Sequence, residues 1–187
     1  MDERRWIASV LAGDMQSFAC LVAKYEKMAY TIAFRIMGNR EEAEEVAQDA
    51  FLKMYRALPQ FKFESKFSSW FYRIVYRTAL TALRGQLVFS DYEEVAVTDI
   101  SLAEEETAMS LLERKDRKEF ISKTLAKLPK MEALLLTLYY LEECSVEEIC
   151  QITDLTASNV KTKLFRARKL FYKTLEKQMK NEMNSLL

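Results

Sequence analysis

The sequence predicts an all-α protein built as two small helical domains joined by an acidic linker. Three observations predict it. Gly 3 and Pro 2 among 187 residues leave almost no helix breakers. Apolar side chains recur at i, i+3 and i+4, the period of a helix with one buried stripe. Charge is partitioned along the chain although the net charge is zero. Residues 1–84 carry 13 Lys/Arg against 10 Asp/Glu, residues 85–112 carry seven acids and no base, and residues 113–187 carry 15 bases against 11 acids.

The N-terminal "MDERRWIASVLAGD" carries acids early and has no continuous apolar core, so it does not read as a signal peptide. No run of about 18 apolar residues marks a membrane span. The first clear helix follows Asn39, a capping residue with Glu42 three positions on. Ala43, Val46, Ala47, Ala50, Phe51, Met54 and Leu58 form its buried stripe, and Pro59 ends it. Its other face holds Glu41, Glu44, Glu45, Gln48, Asp49, Leu52, Lys53 and Arg56, and suits either a solvated surface or a dock for a basic partner.

Next, "FKFESKFSSWFYRIVYRTALTALR" is a short loop and a helix dense in rings. Phe61, Phe63, Phe67, Trp70, Phe71, Tyr72 and Tyr76 are too many for one stripe to hide, and Lys62, Lys66, Arg73, Arg77 and Arg84 lie between them. Rings at helical spacing usually belong to a core. Interleaved with cations they also suit single-stranded nucleic acid, where rings stack on unpaired bases and cations meet phosphates. The acidic segment 85–112 reads as a linker. Beyond it come a helix ending at Pro129, a mostly apolar buried helix in "MEALLLTLYYLEE", a third helix capped by Ser145 with Glu148, and a fourth starting at Thr156. The short junction "TDLTA" makes the last two a helix-turn-helix.

Composition narrows the chemistry. There is no histidine, so the commonest general base and metal ligand is missing. Cys20, Cys144 and Cys150 have no metal spacing and read as reduced core residues of a cytoplasmic protein. No Gly-rich phosphate loop is present. No catalytic residue, metal or cofactor is expected.

The last helix gathers cations. On a wheel of 100° per residue, Val160, Leu164, Ala167, Phe171 and Leu175 fall on one side. Ser158, Thr162, Phe165, Arg166, Lys169 and Lys173 fall opposite, with Lys161 and Arg168 at the flanks. A phenyl ring among cations suits a DNA reader, because it can touch a thymine methyl while arginine pairs with guanine and lysine holds phosphate. A solvated basic face, or a helix docking a protein through Phe165, explains the same pattern.

The blocks "AEEVAQDAFLKMYRALPQF", "FSSWFYRIVYRTALTALR", "LPKMEALLLTLYYLEECSVEEICQI" and "NVKTKLFRARKLF", in this order around an acidic linker, resemble an extracytoplasmic-function (ECF) sigma factor of bacterial RNA polymerase, from about Phe18 to Lys177. The resemblance implies a region-2 domain over 1–84 and a region-4 domain over 113–187. It implies that Glu45, Gln48, Asp49 and Lys53 meet the clamp helices of the largest polymerase subunit, with the polymerase flap as a further contact. It places Phe61, Lys62, Phe63, Ser65, Lys66, Trp70, Arg73 and Arg77 on single-stranded DNA at the −10 element, with a flipped-out base in the loop 61–66. Ser158, Lys161, Thr162, Phe165, Arg166, Arg168 and Lys169 would read the −35 duplex. An anti-sigma protein is the further partner it implies. Arg77 and Thr81 stand where the family often carries Asn and Asp, which bears on −10 base preference. The pair Tyr139–Tyr140 stands where relatives can carry a basic residue.

Overall fold

The computed structural model describes residues 3–89 and 119–185. Every regular element among them is helical. In the first half, α1 (Glu3–Leu11) leads into α2 (Met15–Met37). Asp14 caps α2 by accepting from the Gln16 N–H at 2.9 Å and the Ser17 hydroxyl at 2.6 Å. Gly38, at φ 81°, closes it in the left-handed region, where a Cβ would be strained. Asn39 then caps α3 (Arg40–Ala57) through the Glu42 N–H, and Pro59 sits in the 3-10 turn Leu58–Gln60 that ends it. The whole predicted stripe from Ala43 to Leu58 is buried. The loop to Lys66 feeds α4 (Phe67–Phe89), which runs five residues past the predicted start of the linker. The remainder of the linker lies outside the described residues.

In the second half, α5 (119–126) stops before Pro129, and α6 (Lys130–Leu136) passes into a π-helical turn over Thr137–Leu141. Helices α7 (Val146–Thr153) and α8 (Ala157–Ser185) follow. Ser145 and Glu148 form a complete capping box at the start of α7, with bonds of 3.2 Å and 2.8 Å. Helix α8 lies across α6 and α7.

Packing joins the two halves. Helix α4 lies on α7, α2 lies on α6, and their apolar side chains form one connected core. Lys130 adds a bond from its ammonium to the Met37 carbonyl at 3.0 Å.

Three expectations need correction. The ring-rich loop and helix do hide most of their rings: Phe61, Phe67, Phe71, Tyr72 and Tyr76 are buried. A single stripe would not hold them, but α4 is covered on two sides, by α2 and α3 and by α7. The helix from Met131 is buried only through Leu138. The π turn adds a residue to its register and swings Tyr139, Tyr140 and Leu141 to the surface. Cys20 is exposed on α2, whereas Cys144 is buried and Cys150 half-buried.

Candidate nucleic-acid interface

The second helix of the helix-turn-helix is positioned from below. Asp154 turns the chain after α7 in a left-handed conformation, φ 60°, and the Thr156 hydroxyl oxygen accepts from the Asn159 N–H at 3.3 Å to start α8. Val160, Leu164 and Ala167 then anchor α8 in the core, as the wheel requires. That registration turns Ser158, Lys161, Thr162, Phe165, Arg166, Arg168 and Lys169 to solvent. Phe165 is 53% exposed, and the Lys169 ammonium lies 4.5 Å from its ring centroid. Ring and cation thus form one unit in which the apolar surface is flanked by positive charge.

The −10 candidates divide into a pocket and a paired face. Phe63 stands 45% exposed on the loop, at φ 58°, with its ring 4.7 Å from the buried Phe61. Trp70 is half-buried, 4.9 Å from Phe61 and 5.5 Å from Phe67, so Phe61 is the floor of this cluster and Phe63 its accessible ring. Lys62 is exposed and Ser65 half-buried beside them.

The other cations of this group face carboxylates of the second half. The Lys66 ammonium pairs with Glu148 at 3.0 Å. Arg73 and Arg77 both reach Asp154, at 2.7 Å and 3.1 Å. Tyr72 donates its hydroxyl to Glu142 at 2.8 Å, and Ser69 donates to Glu148 at 3.3 Å. Desolvation alone would raise the Asp154 carboxyl. The bonds from Arg77 and Arg73 outweigh it and hold the group below its ordinary range. Glu148 is likewise held low, against desolvation, by the Ser145 backbone and Lys66. Both guanidiniums remain partly exposed, so Asp154 occupies some of their donors and leaves others open to solvent.

These pairs are open to solvent on at least one side, so each contributes little by itself. Asp154→Asn removes the charge while keeping a residue tolerant of positive φ. It is expected to raise hydrogen exchange across the α4–α7 contact two- to fivefold in low salt and to have little effect in 1 M salt, where such pairs are screened. An equal change at both salt concentrations would show that the pairs do not hold the two halves. Depressed carboxylate pKa values stabilise the contact above the unfolded-state range near pH 4, and the gain disappears as pH falls through the folded values.

On α3, Glu45 and Gln48 are exposed, and Asp49 pairs with Lys53 at 2.7 Å one turn on. Lys53 also donates to the Thr78 hydroxyl at 3.4 Å. Leu52 and Tyr55 are exposed beside them, and Tyr55 packs edge-on against Phe18 at 5.1 Å. This face is therefore mixed apolar and acidic. Tyr55, three residues from Leu52 and off the buried stripe, adds a ring to this face that charge patterning does not point to.

Among the described residues no group of His, Cys, Asp and Glu could hold a metal ion, and no helix is long and apolar enough to cross a membrane. Burial, aided by Glu148 and Glu142, pushes the Cys144 thiol up to about 12, which leaves it a poor nucleophile.

Comparison with known proteins places this geometry. The sigma-70 region 2 family matches residues 21–87, and the sigma-70 region 4 family matches residues 119–171. The RNA polymerase sigma-H factor of Pseudomonas aeruginosa is 30% identical over 93% of this chain and 94% of its own. The ECF RNA polymerase sigma-E factor of Escherichia coli is 30% identical over 87% of this chain and 88% of its own. Two solved structures share the fold. CnrH, in complex with the cytosolic domain of CnrY, has a TM-score of 0.63 at 20% identity, covering 93% of this chain and 97% of that one. RpoE from Bartonella quintana, in complex with the anti-sigma factor NepR, has a TM-score of 0.65 at 16% identity, covering 86% and 98%. With relatives matched along nearly their full length and both sigma regions present in order, the chain belongs to the ECF group of RNA polymerase sigma factors.

Proposed function

We propose that the chain divides promoter recognition between its halves as follows. Glu45, Gln48, Asp49 and Lys53, with Leu52 and Tyr55, dock on the clamp helices of the largest polymerase subunit, and the second half engages the flap. The outward arc of α8 reads the −35 duplex: Arg166 pairs with a base edge, Phe165 meets a thymine methyl, and Lys169 holds phosphate. The loop 61–66 with α4 takes the −10 non-template strand. Extruding a base costs a few kcal/mol of stacking, and a pocket that binds only the unpaired base offsets this. Opening thus follows from differential binding, with no reaction catalysed by the chain. The protein acts in the cytoplasm and takes an anti-sigma protein as inhibitor.

The observation that carries this reading is the exposed Phe165–Lys169 unit beside Arg166, on a helix whose opposite side is fixed in the core. A core-packed Phe165 would remove it. The test is transcription reconstituted with core polymerase and mapping of start sites. The expected result is initiation downstream of a shared two-part sequence, absent without this chain. Asp49→Lys reverses charge at the dock and is expected to weaken holoenzyme assembly about tenfold or more while leaving −35 affinity unchanged. Unchanged assembly would move the dock elsewhere.

A further inference from the structure

Helix α1 lies outside both matched family regions, yet it walls one side of an open cavity of about 450 Å³ beside the loop 61–66. That volume falls within the range of small-ligand sites, about 300–1,000 Å³. Arg4 and Ile7 of α1 form one wall, Phe63 stands on the other, and Ser65 and Lys66 lie on the rim. The Arg4 guanidinium sits 5.6 Å from the Phe63 ring centroid. Phe63 holds φ 58°, a left-handed conformation that a bulky side chain rarely adopts, and such strain gathers where function requires it.

We propose that α1 is part of the −10 reader, with Arg4 a specificity-determining residue for the extruded base. This rests on the assignment of the loop 61–66 to the −10 strand. Arg4 is a donor only, while the Lys66 ammonium on the rim is held by Glu148 at 3.0 Å. The guanidinium pairs best with the carbonyl oxygens of cytosine, thymine or guanine. Adenine offers only ring nitrogens, and at N1 or N7 its adjacent amine would face the guanidinium. Glu3 is the single acid of the lining, and its Oε1 is already taken by the Lys24 ammonium and the Tyr25 hydroxyl on α2. It is a positioning residue: it ties α1 to α2 while Ile7 and Val10 bury the helix's apolar side. Arg4 is thereby held on a fixed element, and its planar fork suits a base edge better than a lysine would.

The probe is a promoter fragment with a single-stranded −10 non-template strand randomised at six positions. Holoenzyme carrying the full chain is bound to it, and the retained strands are sequenced. The parent is expected to disfavour adenine about tenfold at one position, the scale of one good base contact. Arg4→Ala should flatten that position alone, and Phe63→Ala should flatten the same one. Arg4→Lys keeps stem and charge, so it should bind DNA yet lose the discrimination; it also serves if Arg4→Ala loses helicity. If Phe63→Ala flattens a position and neither Arg4 variant does, the role of α1 is overturned and the loop assignment stands. If none of the three changes any position, the loop assignment falls as well. A loss from Arg4→Ala that is equal for all sequences makes Arg4 a phosphate contact and overturns the proposal, as does a parent that prefers adenine at the Phe63-dependent position.

Discussion

Arg166→Ala is expected to lower affinity for the cognate −35 duplex about 5- to 150-fold, the range of one lost bidentate base contact at about 1–3 kcal/mol. The loss should shrink strongly on duplexes substituted at the position Arg166 reads. Phe165→Ala should cost less, about two- to tenfold, because it removes apolar contact and leaves no buried polar group unpaired. Lys169 makes the contrast. Its ammonium lies over the Phe165 ring and carries charge the ring cannot supply. Lys169→Ala should weaken all duplexes alike and reduce the magnitude of the salt slope by about one. Phe165→Ala releases that ammonium from the ring, so the double substitution should differ from the sum of the singles. Band-shift titrations across salt concentration and base substitutions separate these outcomes. A sequence-independent loss for Arg166→Ala would demote it to a backbone contact, and core-polymerase assembly should stay within twofold for all three variants.

The α8 face was legible because helical periodicity is local. Val160, Leu164 and Ala167 specify where the core lies, and everything opposite follows at 100° per residue. The α3 stripe was legible for the same reason, and so were the Ser145–Glu148 and Asn39 caps, whose partners sit three residues away. What escaped depends on residues distant in sequence. The rings of α4 look surplus to a single stripe, yet α7, some 75 residues later, covers a second side. The pairing of Arg73 and Arg77 with Asp154 is of that kind, as is the approach of Arg4 to Phe63. Composition marks the cations of this segment as nucleic-acid contacts and gives no sign that carboxylates of the same chain already hold Lys66, Arg73 and Arg77. The π turn after Leu136 escaped for a different reason: the run "LLLTLYYL" is apolar but for Thr137, so its pattern cannot show where the register shifts.

Phe71→Ala is expected to destabilise the protein by about 3–5 kcal/mol, the cost of emptying a ring-sized site in a core. Phe71 is fully buried, with its ring centroid 4.8 Å from Phe51, 5.9 Å from Tyr25 and 6.4 Å from Phe67. Those neighbours come from α2, α3 and α4, so no single side chain can move in to fill the gap. At about 2–4 °C per kcal/mol for a chain of this size, the midpoint should fall by roughly 6–20 °C. The consequence should pass beyond the first half, because α4 also carries the contact with α7. Thermal melts should show both halves losing structure together if the shared core is the unit of cooperativity. Phe71→Leu keeps most of the volume and should recover more than half of the loss. Phe165→Ala is the internal control: the same residue type, removed from an exposed position, should shift stability by less than about 0.5 kcal/mol while impairing −35 binding. The two phenylalanines are thus expected to separate folding from −35 reading. A Phe71→Ala melt within 2 °C of the parent, or a Phe165→Ala melt as depressed as that expected for Phe71→Ala, would reverse the assignment of which ring the fold needs and which the DNA does.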